Sequence, residues 1–391
     1  MDHLIRDIDR RLVELDQRVD WLYYLSPVGN DAMWQAFEAS RYQQPPILKY
    51  CEIPADYSAL LDQLQALPVD QVKNPAVQRL FLTKQDELMQ QVQLVLCRDQ
   101  PGFVEHSIAL FGGNDAELLQ KALTILNQFD HMPTIAQTAT SMDIKQLAEQ
   151  HVLTYREYTI KHDLPVFFGT VNILDDLNSM MMVHQGHLQI ARSATASPAR
   201  VRPLVTHEVD VHMVTRYNGR QQPLTLLEAG LADYDALQEG LATLSEYLIG
   251  YLSPQRLQVL AARVVASYRV VHQSSFMDIY SELREFHLNA YAAFDITVRA
   301  LRGGGLTKDA VYLEGLDALH QYLINGGDIE FLHAGKFALS QLGDLHDLYQ
   351  AELLHGPALL PIYLQNPQVQ QRLQQLGQRQ LHQLYQTQPQ L

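Results

Sequence analysis

Cysteine is almost missing from this chain. Only Cys51 and Cys97 occur among 391 residues. Two thiols cannot build a four-cysteine zinc module, and their apolar surroundings suggest inert buried thiols in a reducing compartment, hence a cytoplasmic protein. Long apolar runs are missing as well. Stretches such as Val264-Val265-Ala266 fall far short of the about 18 residues a membrane helix needs. Residues 1–7 mix both charges at helical spacing and match no signal peptide. Positive charge is scarce, since 29 Lys and Arg face 44 Asp and Glu, a formal net charge of −15. That balance argues against nucleic acid or an anionic membrane as an electrostatically driven partner. What is present is 47% hydrophobic residues, enough for a sizeable core in one large domain or two intimately packed ones. Oligomeric state leaves no trace in the sequence.

The apolar spacing of Leu12, Leu15, Val19 and Leu22 predicts helices over residues 1–40. Gln43-Gln44-Pro45-Pro46 breaks the pattern, and 47–50 reads as a short strand. Helices are expected again over 57–67, 83–96 and 115–129, the last after a Gly112-Gly113-Asn114 turn with Asp115 joining the cap. Near 150–200 the chain turns β-rich. Val152-Leu153-Thr154-Tyr155 and residues 166–171 read as strands, while 180–183 and 187–191 flank a hairpin turn at His184-Gln185-Gly186. Long helices follow over 203–217, 233–250, 254–270, 275–292 and 307–324, and the Gln-rich tail from 366 reads as a fraying surface helix. The expected class is α+β, mainly α-helical. Its helical N-terminal region, 1–150, packs on a catalytic part, 151–391, that contains a small β-sheet.

The chemistry is concentrated in Thr206-His207-Glu208-Val209-Asp210-Val211-His212, read with Gln238-Glu239-Gly240-Leu241-Ala242. Two imidazoles, one carboxylate ligand and a nearby carboxylate base are the parts of a catalytic zinc site with one position open for water. The two histidines are five apart, which is about 140° around a regular α-helix and points them to different faces. The site therefore requires a local π-turn or a bend just before His212. The β-branched Val209 and Val211 weaken regular helix there. For the third ligand, Glu239 lies on a helix whose Leu237, Leu241, Leu244 and Leu248 mark a buried face. Glu246 shares that stripe, and a buried carboxylate needs a metal or an arginine beside it. Gly240 would let a second backbone or a substrate come close. Glu228 is the rival, in a connection with less apolar support.

These strings also resemble a known family. H-E-x-x-x-H and Q-E-G-L-A are joined by Tyr217-Asn218-Gly219-Arg220-Gln221-Gln222-Pro223 and Arg302-Gly303-Gly304-Gly305-Leu306-Thr307-Lys308-Asp309-Ala310-Val311-Tyr312-Leu313. In this order, over roughly residues 150–365, they resemble metallopeptidases that include the microtubule-associated tyrosine carboxypeptidases. The same family holds bacterial QEGLA-motif proteins that modulate flavohaemoglobin expression. The resemblance implies a zincin-like catalytic domain of gluzincin type, Zn2+ held by His207, His212 and Glu239, and Glu208 as catalytic acid/base. It implies a carboxypeptidase acting on the C-terminus of a peptide or protein. Relatives usually carry small residues, often Gly-Thr, where this chain has Asp210-Val211. That departure leaves open a second reading, a regulatory or interaction protein that keeps the fold, with or without the metal.

Acyl chemistry also needs a donor for the developing oxyanion, for which Tyr312 and Lys308 are candidates. Their ordinary alternatives are core packing and solvation. A carboxypeptidase must hold a free α-carboxylate, with Arg302, Arg299 and Arg220 as unranked candidates. The strand 187–191 could line the cleft or be a plain hairpin. His184 and His187 are explained by the turn, and Gly303-Gly304-Gly305 lacks the order of a phosphate loop.

Overall fold

Buried positions recur at helical spacing from the first turn onward: Ile5, Ile8, Leu12, Leu15 and Val19 share one face of α1 (His3–Val19). The computed structural model describes residues 2–385 apart from Asn114, 130–135, Asp176 and Asn178. The short helices α2 (Trp21–Leu25) and α3 (Asn30–Ala39) complete the first helical stretch. The strand expected over 47–50 is not formed. That segment is extended and held by Val28 N–H donating to the Lys49 carbonyl.

After α4 (Ala59–Gln65) comes α5 (Pro75–Leu96), which begins well before the expected residue 83. Asn74 caps it by accepting from the Ala76 and Val77 amides, and Pro75 occupies the first position, where its missing N–H is harmless. Then follow α6 (Phe103–Phe111) and α7 (Ala116–Asn127), the latter capped by Asp115 as expected. Asn114, in the expected turn, lies outside the described residues.

The clearest departure from the sequence reading is at 152–155, a helix rather than a strand. After β1 (Ala139–Thr140), Thr140 and Asp143 form a reciprocal capping box that starts α8 (Ser141–Lys161). Ile144, Ala148, Val152, Tyr155 and Thr159 bury one helical face, so packing overrides the local preference of β-branched residues. Within 166–171 only Val171 is in a strand, the first residue of β2 (Val171–Leu174).

The expected hairpin is present as β3 (Met181–His184) and β4 (His187–Ala191). Gln185 and Gly186 both take positive φ, 49° and 83°, as a two-residue hairpin turn requires. His184 and His187 are the closing cross-strand pair. β4 is central, antiparallel to β3 and parallel to β2, while β1 pairs with β5 (Thr195–Ala196).

One long rod then passes from α9 (Pro198–Val205) through a π-helical segment, Thr206–Met213, into α10 (Val214–Arg220). Next come α11 (Leu226–Ala229), α12 (Tyr234–Leu248) and α13 (Pro254–Val271). The helix expected over 275–292 is two, α14 (Phe276–Glu285) and α15 (Ala290–Leu301). His287 at φ 63° breaks it, and Asn289 caps the second piece. A 3-10 turn at Lys308–Ala310 leads into α16 (Val311–Ile324), and α17 (Leu342–Gln350) and α18 (Pro367–Gln374) finish the described chain.

The fold is thus mainly helical with two small sheets. One large apolar cluster joins α1–α7 to α11–α18, and a smaller one joins α8, the three-stranded sheet and α10. The π-segment lies between them, with Val211 in the large cluster and Val209 and Met213 in the small one. α12 and α16 cross at glycines: a Cβ on Gly315 would sit 1.7 Å from the Ala236 carbonyl oxygen, and one on Gly240 2.5 Å from that of Gly315. This is the close backbone approach that Gly240 implied. Among the described residues no helix is long and apolar enough to cross a membrane.

Candidate metal centre

The five-residue histidine spacing is accommodated by the π-turn, one of the two distortions the sequence allowed. An i→i+5 pattern brings residues five apart toward one face, and the His207 and His212 ring centroids lie 5.0 Å apart at 81°. From α12, Glu239 Oε2 approaches His207 Nε2 to 3.3 Å. One ligand atom from each of His207, His212 and Glu239 lies within 4.8 Å of the others.

The outer nitrogens are tied down. His207 Nδ1 is 3.2 Å from Glu246 Oε1, and His212 Nδ1 is 3.4 Å from Gln238 Oε1. Carboxylate and amide oxygens only accept, so both rings donate from Nδ1, which makes Nε2 the ligating atom of each neutral ring. Glu239 Oε2 is buried without a hydrogen-bond partner. Two imidazole lone pairs and an orphaned carboxylate oxygen, converging, are a donor set that fits Zn2+. The second carboxylate of the α12 stripe finds arginines instead. Glu246 is 0% exposed and takes Arg200 Nη1 at 2.5 Å and Arg256 Nε at 3.4 Å.

Protein groups alone already set unusual proton affinities. Burial pushes Glu208 up to about 7, opposed by the charge of His207 and helped by Glu239. Burial would lower His207, but the Glu239 carboxylate close to Nε2 and the hydrogen bond to Glu246 carry it to about 9. Burial pushes His212 down to about 4, against the pull of Glu239. Glu239 is held at about 2, because the close approach of His207 and the charge of His212 outweigh burial.

Of the other sequence candidates, Tyr312 and Lys308 lie near this centre. The Tyr312 phenol is raised by burial and then by the Glu239 charge, and Arg263 sits 4.6 Å over its ring. Lys308 is not solvated. Its Nζ is 2.5 Å from Asp235 Oδ2, flanked by the Trp21 and Phe111 rings. Arg299 and Arg302 are gathered around Asp309, at 2.5 and 3.7 Å. Arg220 lies over the Phe168 ring at 4.1 Å. Glu228, the rival ligand, is held by Arg216 at 2.8 Å. Asp210 is on the far side of the π-turn, where His151 Nδ1 meets it at 2.9 Å and the Tyr155 hydroxyl bonds to it. Cys51 and Cys97 are free but half-buried, less sheltered than their apolar context suggested.

Three cations near the centre escaped sequence reasoning. Arg256 acts on Glu208 and Glu246, and Arg263 keeps Nε and Nη1 buried without a hydrogen bond among the described residues, its Nε 4.0 Å from Asp309. Their spacing of seven on α13, within an apolar helix, was the available signal. Lys336 acts electrostatically on His212 and lies 5.2 Å over the Tyr234 ring, and burial lowers its ammonium to about 8. Nothing in its local sequence marked it.

Compared with known proteins, residues 35–380 match a family model described as microtubule-associated tyrosine carboxypeptidase. No curated protein matches.

Proposed function

Because the chain belongs to the microtubule-associated tyrosine carboxypeptidase family, we propose that it is a zinc-dependent carboxypeptidase that removes C-terminal residues from peptides or proteins. The observation that carries this reading is the convergence of His207, His212 and Glu239 beside the half-buried Glu208. Zinc held by those three residues would supply Lewis-acid polarisation of the scissile carbonyl and acidify a water molecule. Glu208, beside His207 on the same turn, accepts the proton of the attacking water and hands it to the departing amine nitrogen. Glu246 and Gln238 hold the two imidazoles in the tautomer that ligation needs.

Tyr312 donates a hydrogen bond to the developing oxyanion, with Arg263 stacked behind it. Arg299 and Arg302, anchored on Asp309, buttress this corner rather than reach substrate. We assign the substrate α-carboxylate to Arg263 and Lys336. Arg263 shares Asp309 more distantly, at 4.0 Å, and among the described residues its Nε and Nη1 make no hydrogen bond and Lys336 makes no ion pair. Lys308, paired with Asp235, supports the field at Glu239.

The catalytic rod beside a small sheet, with the third ligand on a crossing helix, supports a zincin-like arrangement for 151–391. The large apolar cluster supports 1–150 as a helical region packed on it. Two free thiols accord with a cytoplasmic location. Asp210 is engaged behind the π-turn, so it gives no support to a non-catalytic role.

The test is metal analysis together with a C-terminal peptide library. Stoichiometric zinc and release of terminal residues are expected, with Glu208→Gln keeping the metal and losing turnover by about 10²–10⁴-fold. Bound zinc without turnover on any peptide would refute the enzyme.

A further inference from the structure

Behind the π-turn, on the face opposite the candidate metal ligands, is a cavity of about 620 Å³. That volume is within the range of small-molecule sites. Its floor is buried and belongs to the catalytic rod, since Thr206 and Asp210 line it and the residues between them include His207 and Glu208. Its mouth is lined by exposed Arg202 and by the first turn of α18.

The charge at this cavity is opposite to that of the chain. In a protein of net charge −15 it is lined by Arg202 and Arg372 against a single acid, Asp210. That acid is already satisfied by His151 and Tyr155. Arg372 spends Nη1 on the Leu248 carbonyl at 2.8 Å. Arg202 makes no ion pair among the described residues and only faces the Tyr251 ring at 5.5 Å. The Thr206 hydroxyl, on a buried residue, makes no hydrogen bond among the described residues. A guanidinium and a hydroxyl with spare donors call for an anion, while Ile249, Ile362 and Val369 offer an apolar wall.

We propose that this cavity binds a small organic anion, a carboxylate or phosphate on an apolar body, and that the bound anion stiffens the π-turn from behind. Its acidic group takes hydrogen bonds from Arg202 and Thr206, and its body lies against the aliphatic wall. The regulatory half rests on the reading of the π-turn as catalytic; the binding half does not.

The test titrates the full-length, zinc-loaded protein with inorganic phosphate, phenyl phosphate and phenylacetate by calorimetry. Hydrogen exchange of residues 206–213 is followed in parallel. Saturable binding of the two aryl anions, tighter than inorganic phosphate, is expected. It should weaken by about tenfold or more in Arg202→Glu, the loss of one charge-assisted contact, and in Thr206→Val to a lesser degree. The comparison of the two aryl anions shows whether phosphate or carboxylate is preferred. Arg202 is exposed, so its variant folds. Binding must persist in Glu208→Gln, which separates this site from the peptidase reading. No saturation with any probe, or saturation indifferent to Arg202→Glu, overturns the site. Binding that leaves exchange at 206–213 unchanged overturns the stiffening.

Discussion

Replacing Glu246 is the sharpest way to ask whether the candidate metal centre is built as described. This carboxylate is 0% exposed and serves three groups: Arg200 at 2.5 Å, His207 Nδ1 at 3.2 Å and Arg256 at 3.4 Å. Two variants separate its charge from its geometry. In Glu246→Gln the side-chain oxygen can still accept from His207, but the anion that raises the basicity of the ring is gone. Partners of this kind change metal affinity by about 10–100-fold, or roughly 1.4–2.7 kcal/mol. Glu246→Ala also leaves two guanidiniums facing a void without their counter-charge. Removing one member of a buried ion pair costs about 3–5 kcal/mol in stability. Zinc affinity is read by competition with a chromophoric chelator, and stability by urea unfolding of the metal-free protein. The expected pattern is a weakened metal in both variants, with the large stability loss confined to the alanine. If Glu246→Gln binds zinc as tightly as the parent, the carboxylate does not act through His207 and the described wiring is wrong.

Three further outcomes follow from other parts of the molecule. Gly315→Ala places a Cβ 1.7 Å from the Ala236 carbonyl, so α16 and α12 must part. Overpacking predicts a loss of about 1–3 kcal/mol or more, and zinc affinity should fall with it because Ala236 is one turn before Glu239; unchanged affinity would show that the crossing does not position the ligand. His333 is fully buried with neither ring nitrogen hydrogen-bonded, and burial lowers its pKa to about 3. The neutral ring is favoured when folded, so its contribution is complete above the unfolded pKa of about 6.5 and is lost as pH falls toward 3, on the order of 5 kcal/mol in all. His333→Leu should flatten unfolding free energy against pH in that window, and an unchanged slope would contradict the burial. Asp9 accepts from the Thr225 hydroxyl and from the Thr225 and Leu226 amides, at 2.6, 2.7 and 3.1 Å. Asp9→Ala should cost about 1–3 kcal/mol in chemical unfolding by orphaning those donors, and no loss would mean that α1 is held by its apolar face alone.

Much of the site was legible because it is written in short spacings. Five residues between histidines force a distorted turn, and Glu239 beside Gly240 on an apolar stripe forces a buried acid next to a close crossing. The bounds of α12 and α13 were likewise readable from period and punctuation, whereas α16 begins at Val311 rather than 307, behind the 3-10 turn at Lys308–Ala310. What was hidden depends on contacts between distant parts of the chain. Val152 and Tyr155 prefer strands locally, yet the capping box at Thr140 and a helical face matching the sheet decide otherwise. Arg299 and Arg302 could not be ranked as carboxylate holders, because nothing in their neighbourhood says that Asp309 turns back onto both. Lys336 faces His212 only because Leu231 and Leu227 exchange backbone hydrogen bonds with it.

The π-turn has one consequence for how this spacing can change. Deleting Val209 would give the commoner four-residue interval between histidines and relax the rod to ordinary helix. The π-turn takes up that one extra residue within its own length, so the deletion would leave the faces on either side nearly in register. Val205 before the turn and Val214 and Tyr217 after it would keep their places in the small cluster. The interval between the histidines is therefore a local matter of one turn, and either spacing sets two imidazoles on one face without recasting the interiors around them.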